Sequence, residues 1–351
     1  MIRKLNLIKM KFQSFFPAFA LLFISFHSLS QNAKVDSVAF FTDESVIKMT
    51  LSTDLKALIA NKMKMQDQAA TITMQFADNS KFTGDVNVRA RGISRKETCN
   101  MPPLMINFKS SVSGLTPLEK LKLVCGCSTS AEEERLALKE FLAYKIYNQL
   151  TNLSFRVRLA LITYEDSKGK KKPFTQYGFF IEDVDVMAKR NGYKELNKIV
   201  FNQQAINREN MTLVEIFQYM IGNTDWSVPA YHNIKLIKKR KDDNAPPSAV
   251  PYDFDYCGLV NAYYAKPSEL LSIERVTDRE FRGFPKSMEV LQQAISVFIK
   301  QKENIYKLLS DFDPLADKYK KEVTEYLNDF YKIISDPKLI QKELIDKARK
   351  N

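Results

Sequence analysis

The amino-acid sequence predicts an α+β protein with a β-rich N-terminal part and a helical C-terminal part. Near the N-terminus, segments 46–51 and 71–76 alternate apolar and polar residues and contain β-branched side chains, as half-buried strands do. Towards the C-terminus, segments 288–309 and 315–349 carry apolar residues three and four positions apart, with charges between them, which is typical of amphipathic helices. A chain of 351 residues with 45% hydrophobic residues is long enough for two lobes.

The region between these ends is expected to alternate between strands and helices. We expect a helix at 132–150, capped by a residue among 128–130, and a second helix at 211–221 that ends at Gly222. The expected strands, bounded by turn residues, are 84–92, 102–108, 156–164, 176–182, 233–239 and 250–255.

The first 30 residues are typical of an export signal. Four basic residues and no acidic one precede an apolar run at 15–26, and Ser28-Leu29-Ser30 then offers a small-x-small cleavage site. The run is shorter than the roughly 20 residues that span a bilayer. We therefore expect cleavage near Ser30 and export to the periplasm, the cell surface or the medium, with no transmembrane segment in the mature chain.

The composition excludes several classes of function. There is no Gly-x-Gly-x-x-Gly and no Walker loop, and the only histidines are His27 and His232, so we do not expect a metal site with two or three histidine ligands. Removal of the four basic residues of the signal lowers the formal net charge from +12 to +8. The basic runs at 168–172 and 235–241 indicate either a solvated face or attraction to anionic ligands. Nucleic acid is not an expected partner of an exported protein.

The four cysteines favour a disulfide over a metal site. An oxidising compartment makes one disulfide plausible, such as Cys99 with Cys125 or with Cys127. The Cys125-x-Cys127 spacing is a weak metal signal, because zinc ligands usually have two or more residues between them.

Three polar residues after residue 222 carry the chemistry. Asp225 lies in a loop behind a predicted helix, while Asn233 and Asp253 lie at the open ends of the two arms of a predicted hairpin, which brings them together. Carboxylate and amide oxygens are the ligands that Mg²⁺ and Mn²⁺ prefer. A loop Asp, a metal-binding Asn and a second Asp are also the order of parts in phosphoryl-transfer enzymes of the protein-kinase type. The alternative is that Asp and Asn are simply common in loops.

These residues belong to a set of motifs that resembles the CotH family of spore-coat-type secreted kinases, in particular exported relatives in Gram-negative bacteria. The resemblance covers roughly half the chain, from about residue 86 to 258. The motifs are Arg91-Gly92, Tyr177-Gly178-Phe179-Phe180-Ile181-Glu182, Gly222-Asn223-Thr224-Asp225-Trp226, His232-Asn233 and Pro251-Tyr252-Asp253-Phe254-Asp255.

The resemblance implies an atypical protein-kinase-like two-lobed fold that uses ATP with Mg²⁺ or Mn²⁺ to phosphorylate Ser or Thr of exported or cell-envelope proteins. After the signal at 1–30, we expect a β-rich segment at 31–110, a CotH-like kinase core at 111–285 and C-terminal helices at 286–351. The site residues that it implies are Asp225 as the catalytic residue, Asn233, Asp253 and Asp255 as metal ligands, and Arg91 and Glu182 near the nucleotide.

The sequence departs from the family where a phosphate-binding lysine is expected. Residues 98–105 contain no lysine, which leaves Lys96, Arg89 or Arg91 as substitutes. Glu140 either pairs with that cation or lies on a solvated helix face. The missing lysine, with the scarcity of ATP outside the cytoplasm, supports an alternative: a non-catalytic exported binding or scaffold protein. A third possibility is a metal-dependent hydrolase or transferase acting on envelope polysaccharide.

Overall fold

The computed structural model describes residues 40–92, 94–108, 119–197, 200–242 and 244–350. The predicted signal at 1–30 and its cleavage site lie outside these residues. From Phe40 onwards, the described residues belong to one compact unit, so the expected core at 111–285 and the helices at 286–351 are parts of one body.

Seven of the described strands close into a barrel in the order β1-β2-β3-β4-β5-β7-β6. Neighbouring strands are antiparallel except β1 and β6, which close the barrel in parallel, with Ile47 opposite Ala160. The strands are β1 (Ile47–Thr53), β2 (Gln68–Gln75), β3 (Lys81–Ala90), β4 (Leu104–Phe108), β5 (Lys120–Cys125), β6 (Val157–Asp166) and β7 (Phe174–Ile181).

The predicted kinase-like two-lobed fold is wrong. The structure has a closed, mixed β-barrel with a few helices and a helical C-terminal region. The sheet closes because β1 pairs with β2 on one side and with β6 on the other. Local alternation of apolar residues predicts that a strand exists but not which distant strand pairs with it.

A smaller sheet and eight described α-helices complete the fold. The sheet has the antiparallel order β10-β9-β8, with β8 (Tyr193–Leu196), β9 (Ile234–Lys239) and β10 (Ser248–Pro251). The helices are α1 (Leu55–Ala60), α2 (Ser94–Thr98), α3 (Ala131–Leu150), α4 (Val184–Arg190), α5 (Arg208–Ile221), α6 (Met288–Ser310), α7 (Asp317–Ile334) and α8 (Pro337–Ile340), with a π-helical turn at Gln341–Asp346 and 3₁₀ turns at Lys62–Lys64 and Gln203–Ala205. None of the described helices combines the length and the apolar character needed to cross a membrane.

Two predicted helix boundaries are confirmed. Ser130 caps α3, because its side chain accepts a hydrogen bond from the backbone N–H of Glu133. Gly222 ends α5 in the left-handed conformation, at a φ of 64°. Glycine adopts this conformation without steric cost, and the chain therefore turns out of the helix directly into the Asn223–Asp225 loop.

Two hydrophobic clusters lie on either side of the barrel wall. One fills the barrel interior, where Phe180 and Leu123 are fully buried. The other lies between the outer face of the barrel and the helices, where Phe179 contacts Phe141 and Tyr144 of α3 at ring-centroid distances of 5.7 Å. Successive residues of β7 point to opposite faces, so Phe180 packs inside the barrel and Phe179 packs against α3. The strand is therefore buried on both faces.

Candidate functional site

A cleft of about 370 Å³ collects five of the six predicted site residues, all of which lie in the described part of the chain. It opens between the barrel wall, represented by Val124 and Ile181, and the loops that follow α5 and β10. The predicted residues that line it are Arg91, Asp225, Asn233, Asp253 and Asp255. Larger cavities of about 750 and 450 Å³ occur elsewhere, but their linings lack this convergence of carboxylates and guanidinium groups.

The loop that carries Asp225 is held by Asn223. The Asn223 side chain is buried, donates to the side-chain oxygen of Gln218 at 3.0 Å and accepts from the backbone N–H of Asp225 at 3.0 Å. The Trp226 indole donates to the backbone oxygen of Asn223 at 3.2 Å. These bonds fix the position of Asp225 relative to α5.

The Asp225 carboxylate joins two predicted site neighbours. Its Oδ1 lies 2.8 Å from Nε2 of His232, and its Oδ2 accepts a hydrogen bond of 3.0 Å from Nδ2 of Asn233. The Asn233 amide nitrogen also donates to the backbone oxygen of Asp225 at 2.8 Å. Because the nitrogen of Asn233 is used in this way, its Oδ1 is the atom left to accept or to coordinate.

Asn233 and Asp253 both line the cleft at the open end of the β9–β10 hairpin, as predicted. The backbone N–H of Tyr252 donates to the backbone oxygen of Asn233 at 3.0 Å, and that of Asp253 donates to the Tyr144 hydroxyl oxygen at 2.8 Å. Both residues have left-handed backbones, with φ of 51° for Asn233 and 64° for Asp253. Asn and Asp tolerate this conformation better than other non-glycine residues, and such strain concentrates at functional sites.

Two acidic groups, Asp255 in the lining of the cleft and Glu140 of α3, are buried close together. Burial, reinforced by the charge of Asp253, raises the pKa of Asp255 to about 7, while Arg95 opposes the rise. The Tyr264 hydroxyl donates to Asp255 at 3.1 Å. Glu140 is 2% exposed, and burial followed by the charges of Asp255 and Asp253 raises its pKa well above the usual range. The site therefore favours added positive charge.

Arg95 is the cation that faces Glu140, and sequence reasoning missed it. Its Nη1 lies 4.0 Å from Oε2 of Glu140, and its Nη2 donates to the backbone oxygen of Cys125 at 2.6 Å. Both residues are buried or nearly so, which excludes the solvated helix face considered for Glu140. The available signal was its position: Arg95 follows the Arg91-Gly92 motif by three residues and directly precedes Lys96, which the sequence analysis considered.

Of the three cations proposed as substitutes for the phosphate-binding lysine, one lines the cleft and two do not. Arg91 lines the cleft together with Arg95. Arg89 instead pairs with Asp67 at 3.4 Å, and Lys96 is buried outside the cleft lining. Arg91 and Arg95 are therefore the two guanidinium groups in position to contact a phosphate.

Glu182 is not among the cleft-lining residues. Its side chain is fully buried and accepts hydrogen bonds from Arg156 at 2.7 Å and from Arg190 at 3.0 Å. A buried carboxylate needs such partners. Its contacts tie the end of β7 to the end of α4, and we do not include it in the site.

The oxygen atoms of the cleft could bind a hard divalent cation only if a bound ligand, such as a phosphate, supplied further oxygen atoms. Within the described residues, no three Asp, Glu, His or Cys side chains are placed to hold a metal ion by themselves. Asp253 and Oδ1 of Asn233 are the oxygen donors at the mouth of the cleft. Mg²⁺ is commonly held by one or two protein ligands together with substrate phosphates, so the residues present fit a nucleotide-bound cation.

The cysteines form one of the two disulfides considered. Cys99 is bonded to Cys127, while Cys125 and Cys257 are buried free thiols in the described structure. Helix α2 carries Arg95 and ends just before Cys99, and helix α3 carries Glu140 and begins just after Cys127. The disulfide therefore links the end of α2 to the turn that precedes α3. The structure thus uses this cysteine pair as a link and not as a metal site.

Comparison of the chain with known family models and with curated proteins finds no match. The CotH resemblance therefore stays a prediction from the sequence motifs.

Proposed function

We propose that this protein is an exported phosphotransferase that transfers a phosphoryl group from ATP to Ser or Thr hydroxyls of exported or cell-envelope proteins, with Mg²⁺ or Mn²⁺. The observation that carries the proposal is the convergence of Asp225, Asn233 and Asp253 with Arg91 and Arg95 in one cleft. Oxygen donors beside guanidinium groups form the environment that a metal-bound triphosphate requires.

Each residue has a role that follows from its position. Asp225, anchored by His232 and Asn233, orients the acceptor hydroxyl and accepts its proton. Arg91 and Arg95 contact the phosphates, and Asn233 and Asp253 are the metal ligands, with Asp255 beneath them. A bound divalent cation would neutralise phosphate charge and also the repulsion between Asp253 and Asp255.

The disulfide supports the exported location. Disulfides persist in oxidising compartments and are rare in the reducing cytosol. The Cys99–Cys127 bond holds together the two segments that supply Arg95 and Glu140. The proposed site is thus held together by a disulfide, which forms readily in the oxidising compartments outside the cytosol.

The alternative is a non-catalytic exported binding protein. The observation that favours it is the identity of the cation: Arg95, and not a lysine, faces Glu140. Such a protein would bind the metal–nucleotide complex, or another anion, without transferring phosphate.

Calorimetry of ATP binding, with and without Mn²⁺ or Mg²⁺, tests the proposal. We expect metal-dependent binding to the wild-type protein and its loss in Asp253→Asn, because the amide removes the negative charge that holds the cation. Asp329→Asn, at an exposed position on α7 outside the cleft lining, is the control for the loss of one carboxylate. Binding without turnover would select the alternative, and no binding of ATP with either metal would exclude both forms of nucleotide site.

A further inference from the structure

A group of basic residues, here called the cationic rim, lies beside the cleft and consists of Arg91, Lys120, Lys122 and Lys235. The positions of Lys120 and Lys122 follow from the alternation of inward-facing and outward-facing side chains along β5. Leu121 and Leu123 point into the barrel, so Lys120, Lys122 and Val124 share its outer face. Val124 lines the cleft. Same-face neighbours on a strand are about 7 Å apart, so Lys122 lies one step from the cleft wall and Lys120 two steps.

The other two members join the rim to the proposed site. Lys235 lies on β9, two residues after Asn233, and Arg91 itself lines the cleft. The pKa of Lys122 is lowered, first by burial and then, against the pull of Asp183, by the charges of Arg91, Lys235 and Lys120. The four cations are therefore close enough to oppose one another.

The carboxylates around the rim do not balance its charge. Asp183 is shared by Lys120 at 3.4 Å and Lys122 at 3.7 Å, while Glu195 pairs with Lys235 at 2.9 Å. Among the described residues, these two carboxylates thus pair with the three lysines, and the Arg91 guanidinium forms no ion pair there. The three lysines outnumber the two carboxylates and lie beside the cleft, not among the carboxylates that line it, so an anionic ligand on the rim would relieve the repulsion between its cations.

We propose that the cationic rim binds an acidic segment of a partner protein, and that this segment belongs to the acceptor. The side chains of Lys120, Lys122 and Lys235 are 49%, 24% and 33% exposed, so they face solvent and not the closed interior of the cleft. Lys122 and Lys120 lead away from the cleft along β5, and Lys235 lies on β9, a spread that suits an extended peptide with repeated carboxylates better than one compact nucleotide. The statement that the acidic segment belongs to the phosphate acceptor rests on the proposed function. The statement that the rim binds an acidic segment does not depend on it.

Fluorescence anisotropy with two matched peptides tests the proposal. One labelled peptide has a serine flanked by glutamates, and its twin has glutamine at each glutamate. The proteins are the wild type, the rim variant Lys122→Gln/Lys235→Gln, and the control Lys300→Gln/Lys332→Gln, which removes the same charge from exposed positions on α6 and α7. ATP binding in the presence of Mn²⁺ is measured on the same three proteins.

We expect the acidic peptide to bind the wild type and the control equally, and the rim variant about fivefold to tenfold more weakly at low salt. The glutamine twin should bind weakly to all three. Equal binding of both peptides, or an unchanged affinity in the rim variant, would overturn the proposal. A rim variant that loses ATP affinity and keeps peptide affinity would assign the rim to the nucleotide instead, which also overturns it. Rim-dependent peptide binding in a wild-type protein that binds no ATP would leave the rim as a binding surface and reject the phosphotransferase.

Discussion

Asp225 and His232 share one hydrogen bond, and either side chain has the chemistry of a base. His232 is the more exposed, with 54% of its side chain accessible against 39% for Asp225. Asp225 is also bound by Asn233, which places it beside the proposed metal ligands. Its position therefore favours Asp225 as the group that accepts the proton, with His232 holding its orientation.

We expect Asp225→Asn to lower phosphate transfer to a serine peptide by at least about 100-fold, because an amide cannot accept the proton. We expect less than about a tenfold loss in His232→Ala, since Asn233 still positions the carboxylate. Calorimetric binding of ATP with Mn²⁺ should persist in both variants. An equal loss of transfer in His232→Ala would make the imidazole the base.

Glu140 makes the stability of the protein depend on pH. Its folded-state pKa is raised by burial, so its contribution to stability is fully present below its ordinary pKa of 4.5 and is lost as the pH rises towards the folded value. One oxygen of Glu140 has no hydrogen-bond partner among the described residues. Ionisation of this carboxyl group thus opposes folding.

We expect Glu140→Gln to match the wild type in thermal stability near pH 4 and to exceed it increasingly at higher pH, by at most about 1.4 kcal/mol for each pH unit. Melting temperatures between pH 4 and pH 8 measure this difference. Glu134→Gln, on the same helix and more exposed, serves as the control. A constant difference between Glu140→Gln and the wild type at every pH would contradict the raised pKa.

The sequence predicted which residues lie together in the cleft better than it predicted what surrounds them. Asp225, Asn233 and Asp253 converge because they lie at a helix end and at the two ends of a hairpin, which are local features. Arg95 was missed because its role depends on burial beside Glu140, some 45 residues away in sequence. Glu182 was expected near the nucleotide, but the strand that carries it ends against Arg156 and Arg190.

At the scale of elements, the Cys99–Cys127 disulfide joins two segments that pack on each other. The backbone N–H of Met101 donates to the backbone oxygen of Cys127 at 2.9 Å, and the N–H of Cys127 donates to Glu133 of α3 at 2.9 Å. The bond closes a loop with a sequence separation of 28 residues. It therefore restrains the segment that carries Arg95 against the start of α3.

We expect Cys99→Ser/Cys127→Ser to lower the free energy of unfolding by about 3 to 4 kcal/mol, through greater entropy of the unfolded chain. Urea denaturation measures the change, and reduction of the wild type should reproduce it. Thiol titration of the unreduced, unfolded protein should detect the two thiols of Cys125 and Cys257. Detection of four thiols in that sample would show that the bond does not form.

Helices and hairpins were predictable from the sequence, whereas the barrel was not. Residues 132–150 and the arms at 156–164 and 176–182 occur close to where they were expected, as α3, β6 and β7. Their patterns are local. Barrel closure depends on the pairing of β1 with β6, which no local pattern records.

At the scale of the whole molecule, the C-terminal helices belong to the main core. Phe298 of α6 and Phe330 of α7 are fully buried and contact each other at 5.6 Å between ring centroids. Phe312, between these helices, stacks on Phe141 of α3 at 5.5 Å. The expected C-terminal segment at 286–351 thus covers the helix that carries Glu140.

We expect a chain that ends at residue 285 to lose cooperative unfolding and to aggregate. Each large apolar side chain that loses its burial costs about 2 kcal/mol, and the loss of several approaches the total stability of a typical domain. Circular dichroism during heating, with sedimentation to detect aggregates, measures the effect. A chain that ends at residue 349 is the control, and a soluble, cooperatively melting chain of 285 residues would show that the helices are an independent addition.

The parallel pairing of β1 with β6 sets the order in which this chain can fold. Ile47 can pair with Ala160 only after the chain has been made as far as β6. Until then, one edge of β1 has no neighbouring strand. Contacts between residues so distant in sequence form slowly, and an open strand edge invites pairing with other chains. A chain that crosses a membrane before it folds, as this one is proposed to do, arrives with that edge exposed. Its yield in the cell should therefore depend on chaperones that shield the first strand until the sixth is available.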